Sequence, residues 1–122
     1  MKKNNNIKLN LNYEFKRAYK RGKFKANHLI VTYVTKNNYG HVRYGITATK
    51  KIGKAYLRNR ARRVIAAAAR QNLIKVKGGY DIVFVARSKT PYAKSHEVEF
   101  YMKKQLIQLL GDSFEKNTSS TY

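Results

Sequence analysis

From residue 15 to residue 80 the chain carries eighteen lysines and arginines and not one aspartate or glutamate. The positive field is densest over residues 50–63, where seven cations precede an alanine-rich run. A field of this size asks for a polyanion, because phosphates neutralised by Lys and Arg release counterions and binding then weakens steeply with salt. A formal net charge of +21 over 122 residues also opposes compactness through self-repulsion. Marginal stability without an anionic partner is therefore expected. The hydrophobic content of 43% still supports a core, so the chain is not a disordered basic tail.

The organisation reads as one nucleic-acid-binding domain over residues 1–116 with mobile first residues, followed by a disordered tail at 117–122. Asn12 suits a helix cap, and Phe15 and Tyr19 are spaced to share one face of a short helix that stops near Gly22. Residues 29–35 and 42–49 are rich in β-branched and aromatic side chains, and Asn37-Asn38-Tyr39-Gly40 between them has turn chemistry. That pattern predicts an antiparallel hairpin, with Leu29, Val31 and Tyr33 on one face of its first strand and Val42, Tyr44, Ile46 and Ala48 on one face of its second. Over residues 56–71 the period becomes helical. Leu57, Ala61, Val64, Ile65 and Ala68 form the inner stripe, and Arg58, Arg62, Arg63 and Arg70 the outer one. Residues 81–87 read as a strand buried on both faces. Beyond Pro91, Ser95 is the expected cap of a last helix whose inner face is Val98, Met102, Leu106, Leu109 and Leu110. The fold class is α+β in the order α-β-β-α-β-α, with the strand-helix-strand crossover giving one parallel pair beside the hairpin.

Catalytic constellations are scarce. The six acids are Glu14, Asp81, Glu97, Glu99, Asp112 and Glu115, and no two are placed as a general acid and base. Glu97 and Glu99 suit solvated charges near a helix start. His28, His41 and His96 lack metal-ligand spacing, and the absence of cysteine excludes disulfides and thiolate chemistry. A phosphate-binding nucleotide loop fails at two positions: it needs glycine where Ala48 stands and Ser or Thr where Ala55 stands. Gly53 fits a tight turn instead, beside backbone amides able to hold an anion at the helix start. The apolar stripe of the basic helix lacks Trp and Phe, which argues against a membrane-surface role. With no signal-like or spanning apolar segment, the expected setting is soluble and cytoplasmic. Arginine offers phosphate a planar fork and bases a stacking surface, so Arg58, Arg60, Arg62 and Arg63 suit a structured nucleic acid. Phe15, Tyr19 and Tyr33 admit two readings. Their spacing is the one usual for core packing, and the alternative is a groove in which single-stranded bases stack.

The run Lys50-Lys51-Ile52-Gly53-Lys54-Ala55, followed by Arg58-Asn59-Arg60-Ala61-Arg62-Arg63-Val64-Ile65, resembles the signature of the small protein subunit of bacterial ribonuclease P. Similarity extends through Glu14-Phe15, Tyr19, Asn27, Tyr33, Gly45, Tyr80-Asp81-Ile82-Val83 and Ala86-Arg87, and spans about residues 8–110. The resemblance implies a two-layer α/β sandwich like a ribosomal-protein domain, with a left-handed βαβ crossover where pattern rules alone would give the right-handed form. It implies that a separate RNA subunit is required and performs catalysis. Mg²⁺ held mainly by RNA would support cleavage at the 5′ end of the tRNA body in precursor tRNA. Lys50, Lys51, Lys54, Arg58, Asn59, Arg60 and Arg63 would contact that RNA. Phe15, Tyr19 and Tyr33, with Arg62 at the edge, would line the cleft for the single-stranded 5′ leader. The protein alone would be a monomer.

The chain departs from the family pattern in three places. Ala66 stands where an arginine is common, Tyr19 where phenylalanine is frequent, and Asn10-Leu11 where a basic pair often precedes the first helix. The rival reading is a structural ribosomal or ribosome-assembly protein, which shares the size, the charge and the lack of catalytic residues. Leader-dependent stimulation of precursor cleavage separates the two.

Overall fold

A computed structural model describes residues 7–8 and 12–115. In chain order the regular elements are β1 (Ile7–Lys8), α1 (Asn12–Arg21), β2 (Lys23–Ala26), β3 (Ile30–Lys36), β4 (Arg43–Thr47), α2 (Ala55–Leu73), β5 (Tyr80–Ala86) and α3 (Ser95–Leu110). The expected order is present with two short strands added, β1 and β2. The mobile start and disordered tail expected from composition lie outside the described residues, apart from Ile7–Lys8, which form β1.

The strands form one mixed sheet in the order β1-β4-β5-β3-β2. This corrects the predicted hairpin. β3 and β4 are not neighbours, because β5 lies between them, antiparallel to β3 from Ile30↔Ala86 to Lys36↔Tyr80 and parallel to β4. The parallel pair expected from the β4-α2-β5 crossover is present. The hairpin of this fold is β2-β3. Its turn is closed by Asn27, whose side-chain oxygen accepts hydrogen bonds from the Leu29 and Ile30 amides at 3.0 and 2.9 Å, as short Asx turns do.

β5 is central and its side chains alternate between two apolar clusters. Ile82, Phe84 and Ala86 belong to the main core with Ile30 and Val34 of β3, Ala61, Ile65 and Ala68 of α2, and Val98, Met102 and Leu106 of α3. Each large aliphatic or aromatic side chain buried there contributes about 1.5–3 kcal/mol relative to exposure. The inner stripe read from α2 is the one buried, with Leu57 and Val64 at its half-buried margin. On α3 the inner face includes a polar residue that the apolar pattern passed over. Gln105 accepts a hydrogen bond from the Thr32 hydroxyl at 2.6 Å and donates to the Ile30 carbonyl at 3.1 Å, tying the helix to β3. Ser95 is the first residue of α3 rather than its cap. Lys94 holds that position, and its backbone N–H donates to the Glu97 carboxylate at 3.0 Å.

The opposite sheet face carries α1. Ala18 packs on Val83, with Phe15, Tyr33 and Val85 around them. Because alanine is small, the helix backbone approaches the sheet closely at that point and leaves its larger rings to either side. No helix among the described residues is long and apolar enough to cross a membrane.

Candidate nucleic-acid interface

Two polar anchors, both to β4, hold α1 on the sheet. At one, Arg43 makes a bidentate contact with Asp81 of β5 (Nε–Oδ1 2.8 Å, Nη2–Oδ2 2.7 Å) while its Nη1 donates to Glu14 of α1 at 2.6 Å. Asn37 adds a 2.8 Å hydrogen bond to Asp81, and the Tyr39 ring lies 4.3 Å from the Arg43 guanidinium. The Asp81 hydrogen bonds, opposed in part by burial, hold the Arg43 guanidinium above the ordinary arginine value. At the other anchor the Tyr19 hydroxyl and Thr47 Oγ1 are 2.8 Å apart.

At the Tyr19–Thr47 anchor α1 borders an open groove of about 400 Å³ lined by Phe15, Lys16, Tyr19, Ile46, Thr47, Ala48 and Arg62. Three of the four residues assigned to the leader cleft therefore share one concavity. The fourth, Tyr33, meets Tyr19 edge-on at 5.0 Å between ring centroids. Phe15 and Tyr33 are half-buried and Tyr19 is 38% exposed. These rings are thus part of the α1 packing and part of the groove wall. Arg62 is aimed by its neighbours: Nη1 donates to Asn59 Oδ1 at 3.1 Å and Nη2 to the Ala48 carbonyl at 3.3 Å. A second recess of about 550 Å³ opens where Thr49 and Lys51 face Val31, Val85 and Arg87.

The basic run begins in a short 3-10 turn at Lys50–Ile52, where Thr49 accepts from the Lys51 amide at 3.3 Å and Ile52 is buried. Gly53 follows with φ 133° and ψ −151°, a conformation essentially confined to glycine, and an added Cβ would approach Leu57 Cδ1 to 2.9 Å. The tight turn expected at Gly53 is present. It swings the chain into α2 so that Asn59, Arg60, Arg62 and Arg63 are exposed. Lys50, Lys51 and Lys54 are exposed beside them. Among the described residues none of these cations pairs with an acid. The ion pairs belong to Arg43, which takes up Glu14 and Asp81. Arg58 differs from the rest, being half-buried with Nη1 on the Gly53 carbonyl at 2.8 Å, and so braces the turn. Ala66 is half-buried, and Asn10 and Leu11 lie outside the described residues.

Sequence reasoning passed over three residues. Arg43 gave no signal, because its partners lie in elements far apart in sequence. Phe24 on β2 is 56% exposed and stacks on Tyr33, and its alternation with Lys23 and Lys25 was the only hint. Tyr56, 66% exposed, lies one turn before Arg60 within the basic motif itself.

A basic helix face beside an aromatic groove on an α+β sheet is the kind of surface that small nucleic-acid-binding proteins present. The ribonuclease P family model matches residues 1–110, and the chain belongs to that family. It is 41% identical over 102 residues to the ribonuclease P protein component of Thermoanaerobacter sp. (strain X514), covering 84% of this chain and 88% of the relative. It is 45% identical over 104 residues to that of Clostridium botulinum (strain 657 / Type Ba4), covering 84% and 90%. Among solved structures, the Staphylococcus aureus RNase P protein superposes with a TM-score of 0.75 at 27% identity, covering 89% of this chain and 98% of that one. The Thermotoga maritima RNase P protein gives 0.63 at 32% identity, covering 84% and 94%. The α+β fold class is thereby borne out.

Proposed function

We propose that this chain binds the catalytic RNA of ribonuclease P through the basic face of α2 and the turn before it, and holds the 5′ leader of precursor tRNA in the groove beneath α1. The observation that carries this reading is the convergence of Phe15, Tyr19 and Arg62 on one groove, with Tyr33 against Tyr19, adjoining a cationic surface free of acids. A groove walled by aromatic rings accepts bases without regard to sequence, each stack contributing on the order of 1–3 kcal/mol. Mature tRNA has no leader to place there. The protein therefore favours precursor over product by roughly five- to 150-fold per stacked base.

Lys50, Lys51, Lys54, Arg60 and Arg63 supply charge-assisted contacts to RNA phosphates, with Asn59 as a neutral hydrogen-bonding partner. Arg58 supports them by fixing the Gly53 turn, and its remaining donors are available to the RNA. Arg62 stands where the cationic face meets the groove and links the two surfaces. Screening of phosphate repulsion by these cations lowers the divalent ion concentration that the RNA requires.

In this reading catalysis resides in the RNA, and Mg²⁺ held by RNA phosphates would supply the activation of water for hydrolysis, with the 5′-phosphate staying on the tRNA. The chain's own donors do not fit such an ion. Glu14 and Asp81 are engaged with Arg43, the basic run contains no carboxylate, and among the described residues no three of His, Cys, Asp or Glu converge. The protein contributes position and charge, working as a monomeric subunit in the cytoplasm. A ribosomal role would share the cationic surface but gives no reason for an aromatic groove beside it.

The test is equilibrium binding of precursor and mature tRNA to holoenzyme reconstituted with wild-type protein or Tyr33→Ala. Selective loss of precursor affinity is expected. Equal precursor affinity for the two proteins would sink the cleft assignment.

A further inference from the structure

Phe24 lies on the edge strand β2 directly opposite Tyr33 of β3, so both side chains stand on the α1 face of the sheet. Their rings stack with centroids 5.3 Å apart and planes inclined by 29°. On its other side Tyr33 meets Tyr19 at 5.0 Å. The three rings form a continuous row from α1 to the edge of the sheet. Phe24 belongs to neither apolar cluster, and its only neighbour on that face of β2 is the small, exposed Ala26. It is 56% exposed.

Burial does not account for this ring, and neither does edge protection. Edge strands are guarded by charge, which Lys23 and Lys25 already provide on the opposite face of β2. A flat aromatic surface held against a groove ring and open to solvent is instead suited to stacking on a nucleobase.

We propose that Phe24 is an additional stacking position of the leader cleft, so that single-stranded RNA leaving the Tyr33 position is held for a further base at the β2 edge. This rests on the leader-binding reading above. Phe24 sets the length of leader the protein recognises and takes no part in assembly with the RNA subunit.

The experiment uses holoenzyme reconstituted with wild-type, Phe24→Ala, Phe24→Leu, Phe24→Tyr or Tyr33→Ala protein. Affinity is measured for precursor tRNAs whose leaders grow one nucleotide at a time to about ten, within the site sizes of single-stranded grooves. Wild-type affinity should keep rising for about one or two nucleotides beyond the length at which Phe24→Ala levels off, ending roughly five- to 150-fold higher on long leaders. The shortest leaders and mature tRNA should bind Phe24→Ala and wild type alike. Phe24→Tyr should restore the long-leader gain and Phe24→Leu should not. Coincident plateaus for wild type and Phe24→Ala, with Tyr33→Ala weakened, would overturn the extension and leave the cleft standing. Full affinity in Phe24→Leu would also overturn it, because apolar cover would then suffice. Unchanged affinity in Tyr33→Ala would overturn the cleft itself.

Discussion

Asp81→Ala should destabilise the fold severely and loosen the leader groove without altering any residue that lines it. The Asp81 side chain is 2% exposed and that of Arg43 12%, so water replaces the lost partner poorly. The substitution removes two hydrogen bonds from Arg43 and one from Asn37, at 2.7 to 2.8 Å. Arg43 would keep Glu14 at 2.6 Å. Removing one partner of a buried ion pair costs about 3–5 kcal/mol. At roughly 4 °C per kcal/mol for a chain of this size, the midpoint of thermal unfolding should fall by about 12–20 °C. Circular dichroism melts in moderate sulfate would measure this with the general repulsion of the +21 chain screened. The deficit should persist near 1 M salt, where the Debye length is about 3 Å, because the pair is buried and screened little. Glu14 precedes Phe15 on α1, so the same substitution should also reduce the preference for precursor over mature tRNA. A fall of less than about 4 °C, about 1 kcal/mol on that scale, would refute the view that the buried Asp81–Arg43 pair is a major contributor to stability.

Other substitutions separate the parts of the interface. Gly53→Ala forces a side chain into a glycine-only conformation and against Leu57, so it should cost about 1–3 kcal/mol in melts and weaken RNA-subunit binding together with them. Arg60→Ala should leave the melt unchanged and weaken RNA-subunit binding, with the slope of log affinity against log salt reduced by about one. Gln105→Leu strands the Thr32 hydroxyl and takes one donor from the Ile30 carbonyl, which keeps the Asn27 amide at 3.0 Å. It should cost about 1–3 kcal/mol in denaturant titrations without changing precursor preference at permissive temperature. Wild-type protein should melt at higher temperature as sulfate is added, since bound or screening anions relieve its self-repulsion.

Local chemistry made the elements legible, while partnerships across the chain were not. Residues 37–40 do reverse the chain: Asn37 Oδ1 accepts from the Tyr39 amide at 2.9 Å and Gly40 has φ 78°. Turn chemistry reports a reversal, however, and not which strand pairs with which. β5, arriving after α2, pairs with β3 over seven residues and displaces β4 from that edge. The continuous apolar run of β5 did carry the relevant signal, because a strand buried on both faces must sit inside a sheet. β2 was passed over because four exposed residues show no burial pattern. The Glu14–Arg43–Asp81 cluster has no period to detect. The basic face of α2 was readable from spacing alone, apart from the inward turn of Arg58 to the Gly53 carbonyl. For the groove, spacing could not distinguish core rings from stacking rings, and in the folded chain Phe15 and Tyr33 are in part both. The spacing left a stacking groove as the alternative to the core, and the resemblance decided for the cleft.

The central claim is that the chain assists an RNA catalyst by holding the leader and carries no catalytic centre itself. Its most direct test is cleavage of a 5′-labelled precursor tRNA at low Mg²⁺ by a bacterial ribonuclease P RNA, with and without this protein, beside a protein-only reaction. Cleavage at the mature 5′ end should be strongly stimulated when RNA and protein are combined, with none by protein alone. Absence of stimulation with a cognate RNA, or cutting by the protein without RNA, would contradict that claim.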